Sequence, residues 1–170
     1  MNQSTSQSKG YRGQWLFGIL RILMGFLFFW AFIDKVFGLG FSTKSDKSWL
    51  DGVSPTAGFL GKAATGPFAS MYHSMANSDI VAWLFMLGLL GIGLALILGI
   101  GVKIAGYSGA LLMLLMWSAL LPTETNPFLD EHIIYLFLFL IFTRIPVGDY
   151  LGLGKYWEQT GLVKKYSILK

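Results

Sequence analysis

The chain has 170 residues, 54% of them hydrophobic and only 13% charged, with a formal net charge of +4. A soluble domain carries about 25% charged residues, so this composition excludes an ordinary water-facing globule and makes a bilayer the expected solvent. There is no cysteine, which excludes a dithiol pair, a thiolate metal site, an iron–sulfur cluster and covalent haem attachment through this chain. The basic residues do not gather with aromatics in a polar segment, so no nucleic-acid partner is expected.

The first 14 residues are polar and include Lys9 and Arg12. The apolar run after them is longer than the roughly 7–15 residues of a signal-peptide core, and no small-residue cleavage site follows. An uncleaved first span over 15–37 is predicted. It carries Arg21 inside and Asp34 and Lys35 near its far end. At about 100° per residue, Lys35 lies near the Arg21 stripe with Gly25, Phe28 and Phe32, whereas Asp34 points toward Trp30 and Leu27. A buried Arg21 therefore needs a partner from another helix, the backbone or a ligand; otherwise it snorkels to headgroups.

Residues 38–79 form a long outer loop, polar over 42–48 and apolar afterwards, with Trp49, Leu50, Phe59, Leu60, Phe68, Met71 and Tyr72 among small residues. Loops of this length are uncommon without structure or function. Short amphipathic segments lying on the outer surface or folding back over the bundle are expected. A second span follows over 80–101 and a third over 104–121, joined by Gly101-Val102-Lys103 as an antiparallel hairpin. Gly91, Ala95 and Gly99 in one, and Gly106 and Ala110 in the other, form small-residue faces. These suit close packing within the bundle, with a homodimer as their alternative use.

Pro122 ends the third span, and Asn126-Pro127 delays the next helix until Asp130, a good N-cap. A fourth span is predicted over 130–145, followed by a tail over 146–170 with a turn at Gly152-Leu153-Gly154 and an interfacial Lys155-Tyr156-Trp157. Lys9, Arg12, Lys103, Arg144, Lys155, Lys164, Lys165 and Lys170 fall on one side, against Lys44, Lys47 and Lys62 on the other. The positive-inside rule then places both termini in the cytoplasm. The expected fold is an all-α membrane protein: an antiparallel four-transmembrane-helix bundle with a long, partly helical outer loop, forming one domain over 1–170.

Charge at the mouth of a membrane helix is costly unless paired or wet, which makes it a candidate site. Glu131 and His132 open the fourth span at the depth of Asp34 and Lys35. Carboxylates and an imidazole there can take up and release protons. Tyr135 and Phe139 continue one aromatic stripe below His132. Only two histidines are present, His73 in the outer loop and His132. A zinc site would need mostly carboxylates, and a bis-histidine haem would need one ligand from a loop, so neither metal nor haem is expected.

The pattern Leu20-Arg21-Ile22-x-Met24-Gly25-x-x-Phe28-x-x-Ala31-x-x-Asp34-Lys35 resembles the DoxX/DoxD family. So do Gly88-Leu89-Leu90-Gly91-Ile92-Gly93 and Asn126-Pro127-Phe128 with Asp130-Glu131-His132. The similarity covers nearly the whole chain, and the outer loop is closer to DoxD-like members than to the shortest DoxX proteins. DoxD is the membrane subunit of thiosulfate:quinone oxidoreductase, working with a small subunit called DoxA. The resemblance thus implies a prokaryotic plasma-membrane subunit that helps oxidise thiosulfate to tetrathionate and reduce a quinone.

On that reading His132, Glu131 and Asp34 are the catalytic candidates. Arg21, Lys35 and Asn126 are the candidates for binding the anionic substrate, and Tyr135 and Trp30 for the quinone. The lipid bilayer and a DoxA-like subunit are the expected partners. A non-enzymatic scaffold or carrier is the alternative, with outer-loop aromatics such as Trp49 and Phe59 as the docking surface.

Overall fold

The structure is a computed structural model that describes residues 13–124 and 126–170. Lys9 and Arg12 lie outside the described residues. The described residues are helical without strands, and three helices are long and apolar enough to cross a membrane. The first helix, α1 (Gln14–Phe37), is closed by Gly38 in the left-handed conformation. After the short α2 (Ala69–Met75), the second long helix, α3 (Asp79–Leu98), starts at an N-cap Ser78. The third long helix is α4 (Val102–Ala119).

The hairpin between α3 and α4 turns at Gly99-Ile100-Gly101, not at 101–103 as the sequence suggested. Gly99 and Gly101 both take positive φ, 75° and 63°. That conformation is open to glycine at no steric cost and ends a helix. Val102 and Lys103 consequently join the first turn of α4.

The fourth apolar helix, α5 (Glu131–Phe142), has only 12 residues. At 1.5 Å per residue it covers about 18 Å, short of a full hydrocarbon core of about 30 Å. It ends before the predicted 145 because Pro146 has no N–H and its ring clashes with a continuing turn. The hydroxyl of Thr143 donates to the Leu140 carbonyl at 2.7 Å in the last turn.

The helices pair α1 with α3 and α4 with α5, and the α3–α4 hairpin joins the pairs. The core holds Met24, Phe28, Met86, Leu89, Leu96, Met113, Phe139 and Phe142. Phe28 of α1 meets Phe139 of α5 edge to face at 5.2 Å. The α1–α3 contact is glycine on glycine. A Cβ on Gly25 would stand 2.9 Å from the Gly93 carbonyl, and one on Gly93 would stand 2.7 Å from the Phe29 nitrogen. Gly91 faces open space instead. Thus Gly93, not Gly91, makes the close contact. Gly106 and Gly109 of α4 seat Thr143 and Phe139. Leu16, Leu23, Phe26, Leu27, Leu84, Leu87, Leu111 and Leu114 remain exposed along the long helices. Such an apolar coat belongs to a multi-pass membrane protein, with lipid as its solvent.

The outer loop does fold back over one end of the bundle. Leu60, Ala64, Tyr72 and Ala76 form a second small core with Ala119 at the end of α4. Tyr72 places its hydroxyl 2.6 Å from Ser118 Oγ, and the Thr65 N–H donates to the Ala119 carbonyl at 2.9 Å. Two aromatics expected to be exposed in this loop are turned inward. Trp49 packs on Trp83 at 4.6 Å, and Phe59 packs on the small core. Burying them removes more apolar area from water than display would allow. At the opposite end of the bundle lie the α3–α4 turn, the segment after α5, and the short helices α6 (Gly154–Glu158) and α7 (Gly161–Lys165).

Candidate functional site

Asp130 sits in extended conformation at the head of α5 and caps it. Its Oδ1 accepts from the His132 and Ile133 N–H groups at 3.0 and 3.4 Å. Its Oδ2 lies 2.8 Å from His132 Nδ1. One carboxylate thus satisfies two helix-terminal donors and fixes the imidazole. A carboxylate can only accept, so Nδ1 carries the proton and Nε2 is left as the free basic atom of the neutral ring.

His132 is buried, and Glu131 beside it is exposed. Below His132 on the same face, Tyr135 is half-buried and Phe139 fully buried. The geometry is a polar head on an aromatic stripe that descends into the core. Donor atoms of Asp130, Glu131 and His132 lie within 4.8 Å of one another. Within the trio, His132 Nδ1 and Asp130 Oδ2 are already hydrogen-bonded to each other.

The role of Asp130 toward His132 was missed at the level of sequence, where Asp130 was read only as a cap. The signal is the Asp-x-His spacing at a helix start. There the second oxygen of an N-cap carboxylate reaches the side chain two residues on.

Asn126 is exposed, and its Oδ1 accepts from the Phe128 and Leu129 N–H groups at 2.9 and 3.1 Å. It shapes the turn into α5, and its backbone carbonyl accepts from the Thr123 hydroxyl. Trp117 of α4 donates its indole N–H to the Phe128 carbonyl at 2.9 Å and pins this turn to the bundle.

At the same end, Asp34 is almost fully buried, yet not by the helices. The chain after α1 returns over it, and its carboxylate accepts from Phe41 N at 3.3 Å, Ser42 N at 3.0 Å and Ser42 Oγ at 2.7 Å. Trp30 stands in edge contact with Phe41 at 5.2 Å. Lys35 is half-buried, and its carbonyl accepts from Trp49 N at 2.9 Å. Among the described residues, no hydrogen bond or ion pair joins Asp34 or Lys35 to Glu131 or His132.

Arg21 belongs to the other end of the bundle and is fully buried. Its Nε donates to Val147 O at 3.2 Å, and Nη1 donates to Leu96 O and to Ile97 O, the latter at 3.0 Å. Nη2 donates to Tyr150 O at 3.0 Å and Leu151 O at 3.1 Å. A guanidinium has five N–H groups, and each is matched by a backbone carbonyl. Of the partners considered from the sequence, the structure supplies the backbone.

Comparison with known proteins bears on these helices. The DoxX family model matches residues 16–121, more than half of the chain. The chain belongs to the DoxX family. Arg21, Trp30, Asp34 and Lys35 fall inside the DoxX match, while Asn126, Glu131, His132 and Tyr135 lie beyond its end. Searches of curated proteins and of solved structures returned no match to this chain.

Proposed function

We propose that this DoxX-family protein is the membrane subunit of a quinone-linked oxidoreductase, of the thiosulfate:quinone type. The observation that supports the reading is the Asp130–His132 pair above the Tyr135–Phe139 stripe. A quinone has a polar ring that exchanges protons, and His132 with half-buried Tyr135 one turn below it offers that ring a proton partner and an aromatic contact. When bound, the quinone accepts two electrons and two protons. The electrons come from two thiosulfate ions that join through a new S–S bond as tetrathionate.

The residues then divide the work. His132 Nε2 handles a proton at a quinone oxygen, with Asp130 orienting the ring. Glu131 exchanges protons with water. Tyr135 and Trp30 offer aromatic faces for the ring. Lys35 attracts the anion at the outer surface, where the amide NH2 of Asn126 is a further donor. Asp34 and Arg21 act as positioning residues, since their polar atoms are committed to the loop and to the backbone. A DoxA-like subunit delivers the electrons. On this reading the Arg21 end of the bundle, and both termini, face the cytoplasm of a prokaryotic cell; the positive-inside rule supports the orientation through Lys103, Arg144, Lys155, Lys164, Lys165 and Lys170.

The test is thiosulfate-dependent quinone reduction in membranes holding the protein with its co-purifying partners. His132→Ala should lower turnover by about 100-fold or more. Asp130→Asn is more discriminating. Asparagine caps as well as aspartate, so the melting temperature should hold while turnover falls, because the amide no longer keeps Nδ1 as the donor. Full turnover in a His132→Ala, Glu131→Gln double variant would sink the assignment. No turnover in an intact, partner-bound complex would favour the scaffold or carrier reading, for which exposed Phe41, Leu50, Phe128 and Leu129 supply the apolar surface.

A further inference from the structure

The Arg21 end of the bundle carries a cavity of about 320 Å³ whose wall includes Lys103, Arg144, Asp149, Trp157, Glu158 and Lys170. Val102 and Phe142 contribute apolar lining. Lys170 pairs with Glu158 at 3.7 Å. Among the described residues, Asp149 has no cation within 4.0 Å, and neither Lys103 nor Arg144 has a carboxylate partner. Lys103, Arg144 and Asp149 are thus left without ion-pair partners among the described residues of this cavity, with Lys170 acting on Asp149 only from beyond 4.0 Å.

A second hollow of about 350 Å³ opens between α4 and α5 and is lined by Tyr107, Phe137, Leu140 and Ile141. It lies on the apolar flank that the bilayer covers. The two hollows share Thr143, Arg144 and Ile145 in their walls. An apolar groove on the lipid face thus adjoins, at Arg144, a charged cavity at the membrane boundary.

We propose that these two adjoining hollows together bind a phospholipid with an amine-bearing zwitterionic head, of the phosphatidylethanolamine class. The groove takes an acyl chain. Arg144, at the junction, and Lys103 take the phosphate; an arginine fork matches phosphate oxygens well. Asp149 then accepts from the primary ammonium in the cavity. A choline head has no N–H to give that carboxylate, and a glycerol head leaves it without a cation, so both fit the charges less well. The site lies at the opposite end of the bundle from His132 and does not depend on the quinone reading.

The test uses the full chain purified in mild detergent. Retention of phosphatidylethanolamine, phosphatidylglycerol and phosphatidylcholine, offered in equal amounts, is read by native mass spectrometry. Phosphatidylethanolamine should be kept over both others by roughly tenfold. Arg144→Gln should remove the retention, and Asp149→Asn should remove the preference over phosphatidylglycerol. Ile141→Trp, which fills the groove with a bulky side chain, should also remove retention. Leu84→Trp, on the exposed face of α3, should not. Thermal unfolding checks that each variant is folded.

Equal retention of the three lipids overturns the proposal. So does retention that survives both Arg144→Gln and Ile141→Trp. Displacement by an equal concentration of soluble glycerophosphoethanolamine also overturns it, since the groove would then contribute nothing.

Discussion

The Arg21 guanidinium donates its Nε–H to the carbonyl of Val147 at 3.2 Å, joining positions 126 residues apart in the chain. With its bonds to Leu96, Ile97, Tyr150 and Leu151, it ties α1 to the end of α3 and to the segment after α5. Carbonyls at helix ends and turns lack intrahelical donors; one side chain serves five carbonyls here, of which that of Val147 also accepts from the Tyr150 N–H at 3.3 Å.

Arg21→Met should therefore leave several buried carbonyls without donors. Each such loss costs about 1–3 kcal/mol, so total destabilisation above about 3 kcal/mol is expected. Arg21→Lys offers three donors in place of five and should fall between wild type and Arg21→Met. Denaturation in detergent micelles checks the order. Equal stability of the three proteins would show that the staple carries no load.

Gly93 and Gly91 stand two residues apart on α3 and should respond in opposite directions. A Cβ at Gly93 would sit 2.7 Å from the backbone nitrogen of Phe29, which cannot move without shifting α1. Gly93→Ala should cost about 1–3 kcal/mol through overpacking. Gly91 meets nothing within 4 Å, and Gly91→Ala should be neutral or stabilise by up to about 1 kcal/mol. Melting temperatures of the two variants decide the matter; a destabilising Gly91→Ala would instead point to a contact on its outer face, such as a second copy of the chain.

Asp149 gives a pH dependence. Burial raises its carboxyl above the ordinary carboxylate range, and the nearby Glu158 charge raises it further, while Lys155 and Lys170 act in the other direction. A carboxyl raised by folding is at no disadvantage below its unfolded pKa of about 3.9. Its ionisation disfavours the folded state as pH climbs through the raised folded value. Asp149→Asn should therefore raise the melting temperature at pH 7, and the gain should vanish near pH 3. The comparison is made without added phospholipid. A gain that is the same at both pH values would mean that packing, not ionisation, is responsible.

Much of the bundle was legible because hydropathy over a membrane-length window needs no knowledge of neighbours. The three long helices fall close to 15–37, 80–101 and 104–121, and the Asp130 cap was visible as a residue type at a helix start. Helix ends were less legible. The placing of the turn at Gly99 and Gly101 depends on which glycines take positive φ, and the stop at Phe142 depends on Pro146 acting backward along the chain. Of the candidate site, His132 with Tyr135 and Phe139 on one inward stripe followed from helical period alone. The Asp130–His132 bond did not, because it depends on a side-chain orientation at the cap.

By itself, then, the sequence determined the solvent of this protein, its helical class and the small number of polar groups that must be satisfied inside it. Those are sums over local composition, and lipid enforces them on every residue in the same way. Only the tertiary structure decided where those polar groups are satisfied. Arg21 finds its carbonyls on segments far along the chain, and Asp34 is buried by a returning loop rather than by the helix face it occupies. The charged cavity beside Arg144 exists only because α4, the end of α5 and α6 meet there. A side chain's partner is a matter of distance in space, and in a bundle linked by turns and one long loop that distance is set by packing rather than by position in the chain.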